Sequence, residues 1–376
     1  MTVVTLNRWR PVLSFKTLLI SSPIPEPTRW GKKIRDVRPV YLPLGLAYIA
    51  AVAEAFCDEV RIIDFNTEPF VRSGFADYLS GFKPDVVGIQ TLIMSHQNAE
   101  IIARTIKETL PETTVVAGGP HASVYGGELL DDCPYFDAIV VGEGEITFSE
   151  ILSSISRGES LDGIPGLFHR TGGKVVDNGY RQELPVLDEL SFPARRLFPL
   201  DRYRFSPLLR GKRIFDLITS RGCPFRCTFC HVKALSPLYR YQSVDRTIEE
   251  IRILQKDYHA DALYFHDDVF TGNKRIVGDL CERMINEGIN MPWSCLTHVN
   301  CIDEDILIKM KKAGCYQIWF GLESGSQRLL DFINKKIKLD HAREVLRLCN
   351  KHDIMTHALF ILGLPGETVE ESLATI

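Results

Sequence analysis

Short apolar runs alternate with amphipathic stretches along the first half of the chain. Runs at 17–23, 60–64, 85–90, 113–117 and 138–141 are rich in Val, Ile and Leu and read as strands buried on both faces. Between them, 44–56 is apolar nearly all round and predicts a buried helix. Stretches 98–110 and 146–156 read as further helices. Strands alternating with helices at this spacing mean a parallel sheet covered on both faces. The second half repeats the rhythm, with strands at 214–219, 262–266, 293–297, 316–320 and 356–362 and helices at 246–258, 273–287, 303–313 and 339–352. Gly314 suits the C-terminal end of the third of these helices.

The expected fold is therefore α/β twice over. An N-terminal doubly wound, Rossmann-like parallel sheet is followed by a partial βα barrel of TIM-like type with five units. The boundaries read as an irregular lead-in at 1–15, a first domain at 16–156, a linker at 157–210 and a second domain at 211–376. A Pro- and charge-rich loop spans 24–43, and the linker carries a hairpin around Thr171-Gly172-Gly173. The chain stops inside the helix after the fifth strand, which reads as truncation before a sixth strand and leaves an unpaired edge.

Composition narrows the function. Hydrophobic residues make up 45% and charged residues 24%, with a net charge of −4. This is ordinary globular composition, with no basic excess to suggest a nucleic-acid partner. No apolar run reaches membrane-spanning length, and residues 1–20 lack a signal-peptide layout. Ten cysteines without such a signal point to a reducing, cytoplasmic setting in which thiols stay free. Seven of the ten, scattered in apolar segments, read as small buried hydrophobes.

The remaining three are Cys223, Cys227 and Cys230, in C-x₃-C-x₂-C spacing directly after the strand at 214–219. Gly222 and Pro224 bend the chain there. Soft thiolates on so tight a loop suit an iron–sulfur cluster or zinc. Structural zinc takes four ligands, usually as two separated pairs, and no second pair follows. His231 abuts Cys230, so joint ligation of one metal is awkward. Three thiolates would leave one iron of a 4Fe–4S cluster open; buried thiols without metal are the plain alternative.

This motif, with the aromatic Phe229 before its last cysteine, resembles the signature of the radical S-adenosylmethionine (SAM) superfamily. The resemblance implies that the open iron binds the amino and carboxylate groups of SAM. It also implies that one electron cleaves SAM to a 5′-deoxyadenosyl radical. In βα barrels the active site lies beyond the carboxyl ends of the strands. There stand Asp267-Asp268, Gly321-Leu322-Glu323-Ser324-Gly325-Ser326 and the stretch 363–368. By resemblance, Asp267 faces the SAM ammonium, Glu323 and Ser324 lie near its ribose or methionine part, and Gly363 begins a wall near adenine. Asp268, Ser324 and Ser326 also suit helix N-caps.

The first domain has its polar, Gly-rich turns at the carboxyl ends of its strands, where a doubly wound sheet binds ligands. They hold Ser22, Thr91 and Ser95, Gly118, Gly119 and His121, and Gly142, Glu143 and Gly144. Pro43-Leu44-Gly45-Leu46-Ala47-Tyr48, Gly118-Gly119-Pro120-His121 and Gly142-Glu143-Gly144-Glu145 resemble the cobalamin-binding domain found ahead of many radical SAM domains. The D-x-H-x-x-G motif that supplies a cobalt-ligating His is absent, so no imidazole, His96 and His121 included, is expected on cobalt.

Together the resemblances imply a cobalamin-dependent radical SAM enzyme that transfers a methyl group to an unactivated carbon of a small-molecule substrate. Its electron donor would be a flavodoxin or ferredoxin. Radical cyclisation or rearrangement without net methylation is the alternative within enzymes. A non-catalytic cobalamin- or SAM-binding fragment is the alternative outside them.

Overall fold

The computed structural model describes residues 15–25 and 39–376. The lead-in and the greater part of the Pro- and charge-rich loop lie outside the described residues. The chain divides into two units. The first holds the N-terminal strand, Val40–Pro185 and Ser191–Tyr203; the second holds Val186–Leu190 and Arg204–Ile376.

The first unit runs β1 (Lys16–Ser21), α1 (Leu44–Ala53), β2 (Glu59–Asp64), α2 (Arg72–Phe82), β3 (Val86–Gln90), α3 (His96–Thr109) and β4 (Thr114–Gly118). It continues with α4 (Pro120–Tyr125), α5 (Glu128–Asp132), β5 (Ala138–Val140), α6 (Glu145–Arg157), β6 (Leu167–Thr171) and β7 (Lys174–Asp177). The sheet order is β2-β1-β3-β4-β5-β6-β7. β1 to β5 pair in parallel, and β5–β6 and β6–β7 pair antiparallel. The five strands read from the sequence pair in parallel as expected, and the hairpin adds two antiparallel strands, so the whole sheet is mixed. The hairpin read as part of a linker is its outer edge. Leu167 and His169 alternate inward, 0% and 2% exposed, and pair with Val140 and Ala138. That buried alternation gives the hairpin a reason to add to the sheet.

α2 was not expected, because its sequence, RSGFADYLSGF, mixes glycine and serine with its apolar residues. Tertiary packing holds it: Phe75, Leu79 and Phe82 bury one face, and Phe75 meets Phe65 edge-on at 5.5 Å between ring centres. α1 ends at Ala53, short of residue 56.

The second unit runs β8 (Ile214–Leu217), β9 (Ser220–Arg221), α7 (Val232–Leu235), β10 (Arg240–Tyr241), α8 (Val244–Tyr258), β11 (Ala262–Phe265), α9 (Lys274–Asn286) and β12 (Trp293–Thr297). It continues with α10 (Glu304–Lys312), β13 (Cys315–Glu323), α11 (Gln327–Phe332), α12 (Leu339–Lys351), β14 (Met355–Phe360) and α13 (Val369–Thr375). β8, β11, β12, β13 and β14 form one parallel sheet in that order, the five βα units expected. Local sequence starts the helices: Ser243, Asn273, Asp303, Ser326 and Thr368 each accept a hydrogen bond from a first-turn N–H. Ser326, and not Ser324, caps α11. Trp293 anchors the layer between sheet and helices, fully buried, with its indole N–H on the Ala313 carbonyl at 2.8 Å. β14 is the outer strand, and Met355, Leu359 and Phe360 are exposed along it.

Candidate functional site

The cysteine loop leaves β8 and is closed by the β9–β10 pair, Ser220 opposite Tyr241 and Arg221 opposite Arg240. Gly222 sits just inside this stem at φ +83°, and a Cβ there would lie 2.4 Å from the Leu238 carbonyl oxygen. Only glycine meets both demands. All ten cysteines are free; Cys223 and Cys227 are half-buried and Cys230 is exposed. Burial pushes the Cys223 and Cys227 thiols up, while the nearby Lys335 ammonium pulls Cys227 down. The three thiols lie within electrostatic reach of one another. Among the described residues, no three His, Cys, Asp or Glu side chains converge as a single-ion site would require. A four-iron cluster takes each thiolate at a different iron, and three free, soft donors on one tight loop fit it.

Asp267 follows β11, where sequence placed it, but its carboxylate turns to the stem. It is 2% exposed and accepts hydrogen bonds from the Thr219 N–H at 3.1 Å, the Thr219 hydroxyl at 2.9 Å and the Ser220 hydroxyl at 2.5 Å. Burial raises it to about 6, against those donors. Asp267 therefore pins the entry to the cysteine loop, and its neighbour Asp268 is the exposed carboxylate.

Glu323 ends β13 at φ +65°, beside a register shift against β14. Its Oε1 accepts from Lys335 Nζ at 2.8 Å, and both side chains are about nine-tenths buried, 10% and 11% exposed. Ser324 is 1% exposed, and its hydroxyl accepts from the Ser326 N–H at 3.1 Å. Gly363 has φ +86° with nothing within 4 Å of a would-be Cβ, and the Phe229 ring is exposed. Sequence reasoning missed Lys335, His298 and Asn334, all of which bear on the cysteine loop. Sequence assigns no role to the Asn334-Lys335-Lys336 run, and nothing local marks it.

In the first unit the order of β2, β1, β3, β4 and β5 puts the switch point between β1 and β3, where such sheets bind ligands. Ser22 and Ser95 hydrogen-bond to each other across it at 2.7 Å. Ser22 also donates to the Gln90 carbonyl, and the Thr91 hydroxyl donates to the Gly118 carbonyl at 3.0 Å. These three side chains tie the rim together. Gly119 has φ +100°, with Thr91 O 3.1 Å from a would-be Cβ, and Gly142 has φ +79°. The Gly142 N–H donates to the Ser123 hydroxyl at 3.0 Å. Glu143 is 8% exposed, and Gly144 precedes α6.

Beside this backbone rim the rings of His96, His121 and Tyr125 run side by side, 4.7 Å and 4.5 Å between centres. Burial lowers the His121 pKa, and its Nδ1 is buried with no hydrogen-bond partner. Ile93, Met94, Val124 and Tyr125 are exposed around the same edge. An apolar ledge, a rim of glycine turns and an unpartnered imidazole nitrogen suit a large, flat, partly apolar cofactor such as cobalamin.

A parallel sheet with three cysteines on the loop after its first strand, joined to a ligand-binding sheet of doubly wound type, defines a class of two-domain cofactor enzyme. Comparison with known proteins gives the family. Residues 217–376 match the radical SAM superfamily, and residues 34–152 match the B12 binding domain. An uncharacterized methyltransferase of Pyrococcus horikoshii is 37% identical over 335 residues, covering 89% of this chain and 72% of the relative. Cytidylyl-2-hydroxyethylphosphonate methyltransferase of Streptomyces wedmorensis is 30% identical over 390 residues, with the same shares, 89% and 72%. The structure of the radical SAM methyltransferase TsrM from Kitasatospora setae, with cobalamin and a 4Fe–4S cluster bound, matches with a TM-score of 0.78 at 18% identity. That match covers 96% of this chain and 72% of TsrM. The chain belongs to the radical SAM superfamily, in its cobalamin-dependent branch, and is a radical SAM enzyme. Among the described residues no helix is long and apolar enough to cross a membrane.

Proposed function

We propose that this chain transfers a methyl group to a carbon of a small-molecule substrate, with Cys223, Cys227 and Cys230 holding a 4Fe–4S cluster. The observation that carries the reading is the Gly222-bent loop of three free thiols at the carboxyl edge of a parallel sheet. The named relatives, both methyltransferases, support the choice of reaction. When bound, the cluster supplies the electron that cleaves SAM, and cobalamin carries a methyl group.

The chain's own residues position these groups. Asp267 fixes the loop through Thr219 and Ser220, so it serves the cluster by holding its ligands. Asp268, exposed beside it, is the carboxylate available to a ligand ammonium. Glu323, paired with Lys335, and Ser324 stiffen the end of β13. The exposed Phe229 ring and the open space at Gly363 leave room for adenine. In the first unit Gly118, Gly119, Gly142 and Gly144 let cobalamin approach the backbone, and His121 is a contact to it from the rim. Ten free thiols support a reducing, cytoplasmic setting, where a flavodoxin or ferredoxin would deliver the electron.

The test is anaerobic reconstitution with iron, sulfide, cobalamin and SAM, followed by reduction and product analysis, with Cys227→Ala as control. The expected result is iron uptake, with 5′-deoxyadenosine and S-adenosylhomocysteine formed by the wild type and lost in the control. Deoxyadenosine without S-adenosylhomocysteine would replace methylation by cyclisation or rearrangement. Folded protein that takes up no iron would overturn the reading.

A further inference from the structure

The turn between α11 and α12 makes more contacts with the cysteine loop than its sequence suggests. The Thr228 N–H donates to the Ile333 carbonyl at 3.0 Å, and Asn334 Nδ2 donates to the Arg226 carbonyl at 2.6 Å. Both bonds land between or beside the cysteines, on the stretch that carries Cys227. The turn is shaped for this: Asn334 has φ +54° and Lys336 φ +61°, a region that asparagine enters readily and lysine rarely. Between them Lys335 turns inward to Glu323 at 2.8 Å.

A third element holds the turn from the other side. His298, 3% exposed just after β12, lies flat on Phe225 with ring centres 3.8 Å apart and planes at 16°. Its Nδ1 accepts from the Asn300 N–H and its Nε2 donates to the Lys335 carbonyl, both at 3.2 Å. The Asn300 side chain donates to the Lys336 carbonyl at 2.7 Å. One imidazole thus touches a residue of the cysteine motif through its face and the turn through its edge.

We propose that His298 and Asn334 are positioning residues that lock the cysteine loop into its ligand-holding shape before any metal arrives. The inference rests on the reading that these cysteines hold the cluster. Preorganised donors reduce the ordering that metal binding must supply.

The experiment compares wild type with Asn334→Gly, His298→Phe and His298→Ala. Glycine tolerates the turn's positive φ, so Asn334→Gly removes the bond to Arg226 with the least strain. Phe at 298 keeps the ring on Phe225 and loses the bond to Lys335; Ala loses both. In the metal-free chain, alkylation of the half-buried Cys227 followed by mass spectrometry should speed up about fivefold in Asn334→Gly, the worth of one hydrogen bond, with exposed Cys230 as the internal reference. It should speed up more in His298→Ala than in His298→Phe. After reconstitution, the same variants should change the electron paramagnetic resonance signature of the reduced cluster, with His298→Phe closer to wild type.

Wild-type alkylation rates and an unchanged cluster spectrum in Asn334→Gly and His298→Phe would overturn the clamp. A lower melting temperature with both readouts unmoved would overturn it too, leaving a merely structural role. If the wild type takes up no iron, the cluster reading fails, and the alkylation rates still decide whether the turn orders the loop.

Discussion

The two carboxyl edges of this molecule are built on opposite plans. At the first sheet, Ser22, Thr91 and Ser95 spend their hydroxyls on each other and on the chain. What is left there for a ligand is backbone, glycine, apolar surface and the imidazole of His121. The second sheet presents side chains of strong chemistry instead, three thiols with carboxylates and an ammonium behind them. On the function proposed here, the first edge would recognise by shape and the second by donor chemistry. Side-chain substitutions should therefore weigh more at the second edge, and backbone changes should weigh at both.

The largest effect short of removing a cysteine is expected at Gly222. Gly222→Ala puts a Cβ 2.4 Å from a backbone oxygen at φ +83°, where neither atom belongs to a flexible side chain. A loss of about 4 kcal/mol in stability is expected, with iron uptake abolished. Thermal melting and iron content measure the two. A fully loaded variant would show that the stem can move and would weaken the contrast between the edges.

Next come two opposed pH dependences at the second edge. Burial and the nearby Lys335 hold His298 down to about 4 from its ordinary 6.5. The unfolded chain takes up a proton in that window and the folded chain does not, so this term makes stability rise with pH from 4 to 6.5. Asp267 is raised from 3.8 to about 6. The folded chain keeps a proton that the unfolded chain has lost, so this term makes stability fall with pH from 3.8 to 6. Each is worth about 3 kcal/mol and the two nearly cancel. Denaturant melts of the metal-free protein should show His298→Phe losing stability, relative to wild type, as pH rises through the window. Asp267→Asn should gain it. Parallel profiles for all three proteins would mean that neither group titrates as its surroundings dictate.

A smaller effect is expected at the first edge. Gly119→Ala meets Thr91 O at 3.1 Å and φ +100°, for about 2 kcal/mol, and cobalamin retention should fall with stability. Cobalamin held as tightly as in wild type would show that this edge does not depend on close backbone approach.

Much of this was legible in the sequence because it is local. Strand runs, the N-cap Ser326 and the spacing of Cys223, Cys227 and Cys230 depend on neighbours a few residues away. The hairpin's membership of the first sheet was not legible, since it depends on which edge accepts it. α2 was not, since packing on Phe65 outweighs weak propensity. Asp267 was found by position, but its turn toward Thr219 and Ser220 was not legible: sequence places a carboxylate after a strand and does not say which way it turns.

By itself, then, the sequence determined the two α/β halves, the three-thiol loop and the glycine-rich rim, each set by short-range pattern. Only the tertiary structure decided that Asp267 faces Thr219, that Lys335 lies buried against Glu323 and that His298 and Asn334 reach the cysteine loop. Those contacts join residues 48, 12, 73 and 108 positions apart. Their energies come from burial and from the geometry of packed elements, which no local pattern of residue types encodes.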